Sequence, residues 1–190
     1  MQTAGFVLVG GHSSRMGQDK ALLRGRSGVP LVLEIAGTVE NVAGSVVLIG
    51  KPDQYGNLGI PCLPDLRNSM GPLAGIEAAL AADRGELNVI VGCDMPGLQE
   101  RWLVDLLEAS HRNGTLCTVA RDSEGKLHPL LGVYRRGCLP HVRAALDGGR
   151  LRLMDAVIEL GAATLDIEEM IWNVNTQSEW RDWVSGTDAV

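Results

Sequence analysis

Residues 6–20 of this chain read Phe6-Val7-Leu8-Val9-Gly10-Gly11-His12-Ser13-Ser14-Arg15-Met16-Gly17-Gln18-Asp19-Lys20. The first four residues are an apolar, β-rich run with the length of a buried strand. Glycines, hydroxyls, an arginine and a lysine follow it. Glycines let backbone N–H groups approach an anion closely, and cations neutralise the anion's charge. The stretch therefore predicts a phosphate-binding turn at the end of the first strand of an α/β sheet.

This turn matches neither of the two common nucleotide-binding motifs. Five residues separate Gly11 from Gly17, and Lys20 is the third residue after Gly17, so the pattern is not G-x-x-x-x-G-K-[ST]. The dinucleotide pattern G-x-G-x-x-G is not matched either. The turn is therefore interpreted as a nucleotide loop of a third kind.

Composition restricts the class of protein. The 190 residues, 45% of them hydrophobic, suit one domain over residues 1–190. No apolar run approaches the ~20 residues that cross a bilayer, and the first strand starts so close to Met1 that we expect no signal peptide. The cysteines contain no C-x-x-C pair, which favours buried thiols in a reducing, cytoplasmic setting over zinc or disulfides. They are Cys62, Cys93, Cys117 and Cys138.

The charge distribution favours a small anionic ligand. The net charge is −6, which argues against nucleic-acid binding. Residues 1–30 nevertheless carry a net +3, because Arg15, Lys20, Arg24 and Arg26 face Asp19 alone, and the other residues therefore carry −9. A local cationic site on an acidic body suits a small polyanion better than a long polymer.

Strand and helix patterns alternate along the chain. Strands are predicted at Phe6–Val9, Ser45–Ile49, Ile60–Leu63, Asn88–Gly92, Thr115–Ala120, Leu130–Tyr134 and Ala163–Ile167. Helices are predicted at Leu31–Val42, Leu73–Ala82, Glu100–Arg112, Pro140–Leu146, Leu151–Leu160 and Gln177–Val184. This alternation indicates a layered α/β fold with a mostly parallel sheet.

Ligands of open α/β sheets lie beyond the carboxyl ends of the strands. Asp94 directly follows the apolar strand at 88–92 and precedes Pro96, so its carboxylate is a candidate for Mg²⁺ beside phosphate oxygens, since magnesium takes only one or two protein carboxylates. The alternative is that Asp94 caps a helix beginning near Leu98. Asp65 follows the third strand and could accept hydrogen bonds from a ribose or base, or could be an ordinary surface aspartate.

The remaining candidates divide into phosphate contacts and packing residues. Arg15 and Lys20 are predicted to meet phosphates, the first as a bidentate fork and the second as a point charge. Neither His12 nor His128 is assigned a proton-transfer role. Trp172, Trp180 and Trp183 are interpreted as packing of the C-terminal segment. The match of Asp53-Gln54-Tyr55-Gly56 to the D-x-x-G pattern of GTP switch proteins is interpreted as chance.

Taken together, these motifs resemble the molybdenum cofactor guanylyltransferases, over nearly the whole chain and in the family's order. The motifs are the loop at 8–20 with Gly10-Gly11 and Asp19-Lys20, Gly71-Pro72-Leu73-Ala74-Gly75, Cys93-Asp94-Met95-Pro96, His128-Pro129 and Asn173-Val174-Asn175-Thr176. The double glycine and the Asp19-Lys20 pair are similar to the guanylyl branch rather than its cytidylyl relatives. Family members often carry an asparagine after the second strand, where this chain has Ile49-Gly50-Lys51-Pro52.

The resemblance implies a three-layer α/β/α sandwich, a Rossmann-like nucleotidyltransferase fold, and a set of site residues. Leu8, Val9, Gly10 and Gly11 would line the nucleotide. Lys20 and Arg15 would contact its phosphates, Asp65 its nucleoside, and Asp94 both nucleotide and Mg²⁺. Arg15, Lys20 and Asp94 would be the catalytic residues.

The resemblance also implies the reaction. GMP would pass from GTP to the terminal phosphate of molybdopterin with release of pyrophosphate, and molybdoenzymes or their chaperones would be further partners. Three alternatives stay open at this point: a cytidylyltransferase for the same cofactor, a sugar-phosphate nucleotidyltransferase, and a non-catalytic nucleotide-binding or carrier protein.

Overall fold

A computed structural model describes residues 1–10, 19–25 and 27–186 of the chain. Its centre is a seven-stranded sheet in the order β3-β2-β1-β4-β6-β5-β7. The strands are β1 (Thr3–Leu8), β2 (Val46–Ile49), β3 (Cys62–Leu63), β4 (Leu87–Gly92), β5 (Cys117–Arg121), β6 (Leu127–Arg135) and β7 (Ala163–Asp166).

All strands of the sheet run in one direction except β6, which is antiparallel to both of its neighbours, β4 and β5. The register brings the carboxyl ends of the central strands together, because Leu8 pairs with Ile49 on one side and with Gly92 on the other. The residues directly after β1, β2 and β4, which are Val9, Gly50 and Cys93, therefore lie at the same edge of the sheet.

Two helical layers cover the sheet. The helices are α1 (Leu31–Ala43), α2 (Pro52–Tyr55), α3 (Pro72–Ala81), α4 (Glu100–Asn113), α5 (Leu139–Asp147), α6 (Leu153–Glu159) and α7 (Gln177–Ser185). Buried residues of α1, α4 and α7 share one core with Val7 and Val91, while those of α3, α5 and α6 share a second core with Phe6 and Ile90. Neighbouring strand residues point to opposite faces, so the central strands are apolar on both sides and lie inside a three-layer α/β/α sandwich.

The predicted fold class is confirmed, with local differences. The first strand begins earlier than predicted, at Thr3. The third strand is shorter than predicted and contains only Cys62 and Leu63; Ile60 and Pro61 precede it. The sixth strand is longer, and its antiparallel direction was not read from the pattern, since a buried strand looks the same in both directions. Helix α2 was missed because four residues are too few for a helical period.

The cysteines and two of the C-terminal tryptophans agree with the sequence-based expectations that concern them. All four cysteines are free thiols, and three of them, Cys93, Cys117 and Cys138, are buried. Trp180 is buried in the α1/α4 core and stacks on Trp183 with ring centroids 5.4 Å apart, which confirms their packing role. Within the described part of the chain, no helix combines the length and apolarity that a membrane crossing requires.

Candidate active site

An open cleft of about 580 Å³ lies at the carboxyl ends of β1, β2 and β4. Its lining includes most of the residues predicted to form the site. The predicted residues in the lining are Leu8, Val9, Gly10, Lys20, Asp65 and Asp94. The other lining residues are Asp19, Ile49, Gly50, Lys51, Arg67, Ser69, Met70, Gly71, Pro72, Gly75, Gly92, Cys93 and Leu130. Residues as far apart in sequence as Leu8 and Leu130 thus meet at one edge of the sheet.

The floor of the cleft is backbone from the end of β1. The Val9 N–H donates to the Ile49 carbonyl at 2.8 Å, and the Leu8 carbonyl accepts from the Cys93 N–H at 3.1 Å. A Cβ at Gly50 would lie 2.5 Å from the Val9 carbonyl oxygen, so only glycine permits this close approach. Gly10 has a φ of +102°, a backbone conformation that favours glycine.

Asp94 lies two residues after β4 and is held by the C-terminal segment. The Asp94 carbonyl accepts from the Val174 N–H at 2.8 Å. Burial raises the pKa of this carboxyl group, while Lys20, Asn173 and His128 act against that rise. The capping alternative is wrong, because α4 begins at Glu100 with Gln99 in the capping position.

Lys20 begins a short 3₁₀ turn, Lys20–Leu22, and lines the same cleft. Its ammonium donates to Asn175 Oδ1 at 3.0 Å, and its charge is among the influences that oppose the raised pKa of Asp94. The C-terminal segment is therefore bonded to Asp94 through the Val174 N–H and to the Lys20 ammonium through Asn175. In the sequence, Asn173 and Asn175 appeared only within the family motif Asn173-Val174-Asn175-Thr176.

Asp65 lies on the far wall of the cleft, where β3 leads towards α3. Atoms of the cleft wall desolvate its carboxyl group and raise its pKa, although the residue as a whole is exposed. Gly75 of α3 allows this wall to form, because a Cβ there would lie 2.8 Å from Leu8 Cδ2 and 3.5 Å from Asp65 Oδ1. Pro72 occupies the first turn of α3, a position that suits proline.

His128 is not among the residues that line the cleft. Its Nε2 lies 2.7 Å from Asp122 Oδ2, and both side chains are buried. Gly11, His12 and Arg15 lie outside the described residues, so the predicted contacts of Gly11 and Arg15 remain predictions.

The described residues provide the ligands for a metal ion only if a substrate contributes to its coordination. No group of three or more His, Cys, Asp and Glu side chains converges on one point in residues 1–10, 19–25 and 27–186. Magnesium needs no such group when phosphate oxygens and water complete its shell. A single half-buried carboxylate at the cleft floor, that of Asp94, suits this kind of site.

Comparison with known proteins gives the family. Residues 5–162 match the family model of the MobA-like NTP transferase domain. The chain belongs to this family. A relative from Flavobacterium johnsoniae, named "Probable molybdenum cofactor guanylyltransferase", is 32% identical, over 93% of this chain and 94% of its own. Another of the same name from Pelotomaculum thermopropionicum is 33% identical, over 94% and 90%.

The fold is also similar to that of a solved structure. The crystal structure of molybdopterin-guanine dinucleotide biosynthesis protein A from Archaeoglobus fulgidus matches with a TM-score of 0.82 at 20% identity, over 97% of this chain and 98% of that one. The resemblance to the molybdenum cofactor guanylyltransferases is thereby confirmed, and this MobA-like chain is a nucleotidyltransferase.

Proposed function

We propose that this enzyme transfers GMP from GTP to the terminal phosphate of molybdopterin, forming the guanine dinucleotide cofactor and pyrophosphate. The observation that carries the proposal is the juxtaposition of Lys20 and Asp94 across one cleft, both held by the Asn173–Asn175 segment. Relatives named molybdenum cofactor guanylyltransferase support the choice of substrates. The free thiols fit a reducing compartment, and we place the reaction in the cytoplasm.

The nucleotide would occupy the cleft between the end of β1 and the start of α3. Backbone at Leu8, Val9 and Gly10 would line it, with Gly11 continuing the same wall. Asp65 would accept hydrogen bonds from the nucleoside, because its carboxylate lines the cleft at the connection between β3 and α3. Lys20 and Arg15 would meet the triphosphate.

Asp94 would hold Mg²⁺ together with the phosphates. A magnesium ion in that position neutralises phosphate charge and orients the reacting groups. Burial makes a bare carboxylate costly at this position, as the raised pKa of Asp94 shows. A cation beside Asp94 would compensate that cost.

The reaction joins two anions, so the protein must offset their repulsion. An oxygen of the molybdopterin phosphate forms a bond to the α-phosphorus of GTP, the bond to the bridging oxygen breaks in line with it, and its electron pair leaves with pyrophosphate. The attacking phosphate is already ionised near neutral pH, so no general base is required. Lys20, Arg15 and backbone N–H groups would stabilise the charge on the leaving group, and positioning would supply the rest.

Competition between nucleotides tests the choice of base. Purified enzyme is given molybdopterin, Mg²⁺ and one of GTP, CTP or UTP, and pyrophosphate release is followed. We expect a clear preference for GTP. A preference for CTP would indicate the cytidylyl reaction instead, and tight GTP binding without pyrophosphate release would indicate a carrier protein.

Substitution of the two charged residues tests the mechanism. Lys20→Ala and Asp94→Ala are each expected to lose orders of magnitude in turnover while the circular dichroism spectrum stays unchanged. Asp105→Ala, an exposed position on α4, is the control and should retain turnover. Full activity of Asp94→Ala would remove Asp94 from the proposed metal site.

A further inference from the structure

A carboxylate lies directly beside the proposed phosphate-binding lysine. Asp19 precedes Lys20 and lines the same cleft. A free carboxylate there would repel a triphosphate, so its presence requires a physical reason. The reason is found in its hydrogen bonds, all three of which are made to other groups of the protein.

Both oxygens of Asp19 are occupied. Oδ1 accepts from the Ala21 N–H at 3.1 Å, which makes Asp19 the cap of the turn that begins at Lys20. Oδ2 accepts from the Tyr55 hydroxyl at 2.8 Å and from Gln54 Nε2 at 2.5 Å. The carboxylate therefore fixes the turn on one side and is fixed by α2 on the other.

Tyr55 is the rigid member of this network. Its side chain is 1% exposed and packs in the α1/α4 core. Burial, with the hydrogen bond to Asp19 next in importance, raises the pKa of its hydroxyl above the ordinary range, so the group stays a donor. Gln54 is exposed, and water can replace its contact.

We propose that Tyr55 is a positioning residue for Lys20, acting through the Asp19 carboxylate to hold the lysine where it meets the nucleotide's phosphates. Tyr55 belongs to the segment Asp53-Gln54-Tyr55-Gly56, whose match to the D-x-x-G pattern is interpreted as chance. The proposed role of this segment is to hold Asp19 and does not depend on that pattern. The inference rests on the proposed function, since it assumes that Lys20 binds phosphates.

The test is Tyr55→Phe, which removes only the hydroxyl. Loss of a hydrogen bond to a charged group is worth about a tenfold change, so KM for GTP should rise about tenfold. The kcat should fall as well, because the same lysine is proposed to stabilise the leaving group. In the Lys20→Ala background the same substitution should change KM less than about twofold. Tyr134→Phe is the matched control: its hydroxyl donates to the Pro129 carbonyl at 2.6 Å, and its loss should leave KM unchanged.

Several outcomes would overturn the inference. One is a Tyr55→Phe enzyme with unaltered KM, and another is an equal rise in KM with and without Lys20. A higher Mg²⁺ requirement at unchanged KM would assign Asp19 to the metal instead.

The test also separates this inference from the proposed function. If the enzyme uses CTP rather than GTP, the same measurements are made with CTP, because both nucleotides carry the same triphosphate. If it uses neither, hydrogen exchange decides: the amide of Ala21 should exchange about tenfold faster in Tyr55→Phe and not in Tyr134→Phe. Unchanged exchange at Ala21 would overturn the inference without any nucleotide present.

Discussion

At the scale of single residues, Asp122 shows how a charge is made tolerable inside this protein. Its carboxylate accepts from His128 at 2.7 Å and from the Lys126 and Glu124 amides at 2.9 and 3.0 Å. Burial by itself would raise the pKa of Asp122, but these hydrogen bonds outweigh burial and lower it. The charged form is therefore the one that stabilises the turn leading into β6.

The lowered pKa of Asp122 predicts a pH-dependent stability. A carboxyl group whose pKa is depressed by folding stabilises the protein above its unfolded value, here 3.8, and loses that contribution as the pH falls through the folded value. Asp122→Asn should cost about 2 kcal/mol at pH 7, and the difference from the wild type should shrink below about pH 4. Urea unfolding of both proteins at pH 7 and below about pH 4 measures this difference in the free energy of unfolding. An equal difference at the two pH values would contradict a stabilising charge on Asp122.

At the scale of elements, α7 anchors the segment that holds both sides of the cleft. Thr176 caps the helix by accepting from the Glu179 N–H at 3.2 Å, and Glu179 accepts in return from the Thr176 N–H at 2.8 Å. Glu179 also accepts from the Asn175 N–H at 2.6 Å. The helix start and the lysine contact of Asn175 are therefore one structure.

Removal of this cap tests that connection. Thr176→Ala should lower the free energy of unfolding by about 1 kcal/mol, while Thr176→Ser, which keeps the hydroxyl, should stay close to the wild type. Chemical denaturation measures the change. Because the cap borders Asn175, we also expect a weaker affinity for GTP in Thr176→Ala, and an unchanged affinity would show that Asn175 is held without the helix.

Two glycines give opposite predictions for the packing of α1 on the sheet. A Cβ at Gly5 of β1 would lie 2.3 Å from Val39 Cγ1 and 2.6 Å from the Ser45 carbonyl oxygen, whereas a Cβ at Gly37 within α1 would meet nothing within 4 Å. Gly5→Ala should therefore destabilise by about 1–3 kcal/mol, and Gly37→Ala should stabilise by about 0.8 kcal/mol. Thermal unfolding of the pair measures both, and a shift of the same sign in both would contradict this packing.

At the scale of the whole molecule, the site belongs to no single element. The cleft is lined by residues at the ends of β1 and β4 and by residues of the connection between β3 and α3. The segment before α7 is hydrogen-bonded to Asp94 and to Lys20. A ligand in the cleft would therefore bind the folded state alone and stabilise all of it.

Nucleotide binding should thus raise the melting temperature of the entire protein. GTP with Mg²⁺ at 100 times its dissociation constant adds about 2.7 kcal/mol, which for a chain of this size is a shift of about 5–11 °C. CTP at the same concentration should give a smaller shift. Differential scanning calorimetry measures both, and equal shifts would contradict selectivity for guanine.

The sequence by itself determined the fold class and most of the candidate site. Alternating strand and helix patterns set the layers, and the rule that ligands lie beyond strand ends selected Lys20, Asp65 and Asp94. These inferences depend on patterns between residues that are close together in sequence, and a single sequence contains all of that information.

Only the tertiary structure decided which residues hold that site in place. The link from Tyr55 to Asp19, and the bonds of Val174 and Asn175 to Asp94 and Lys20, join residues far apart in sequence. Such pairs leave no periodicity, because a hydrogen bond depends on where two chain segments cross rather than on their own patterns. The antiparallel direction of β6 was decided in the same way, by the path of the chain between buried strands.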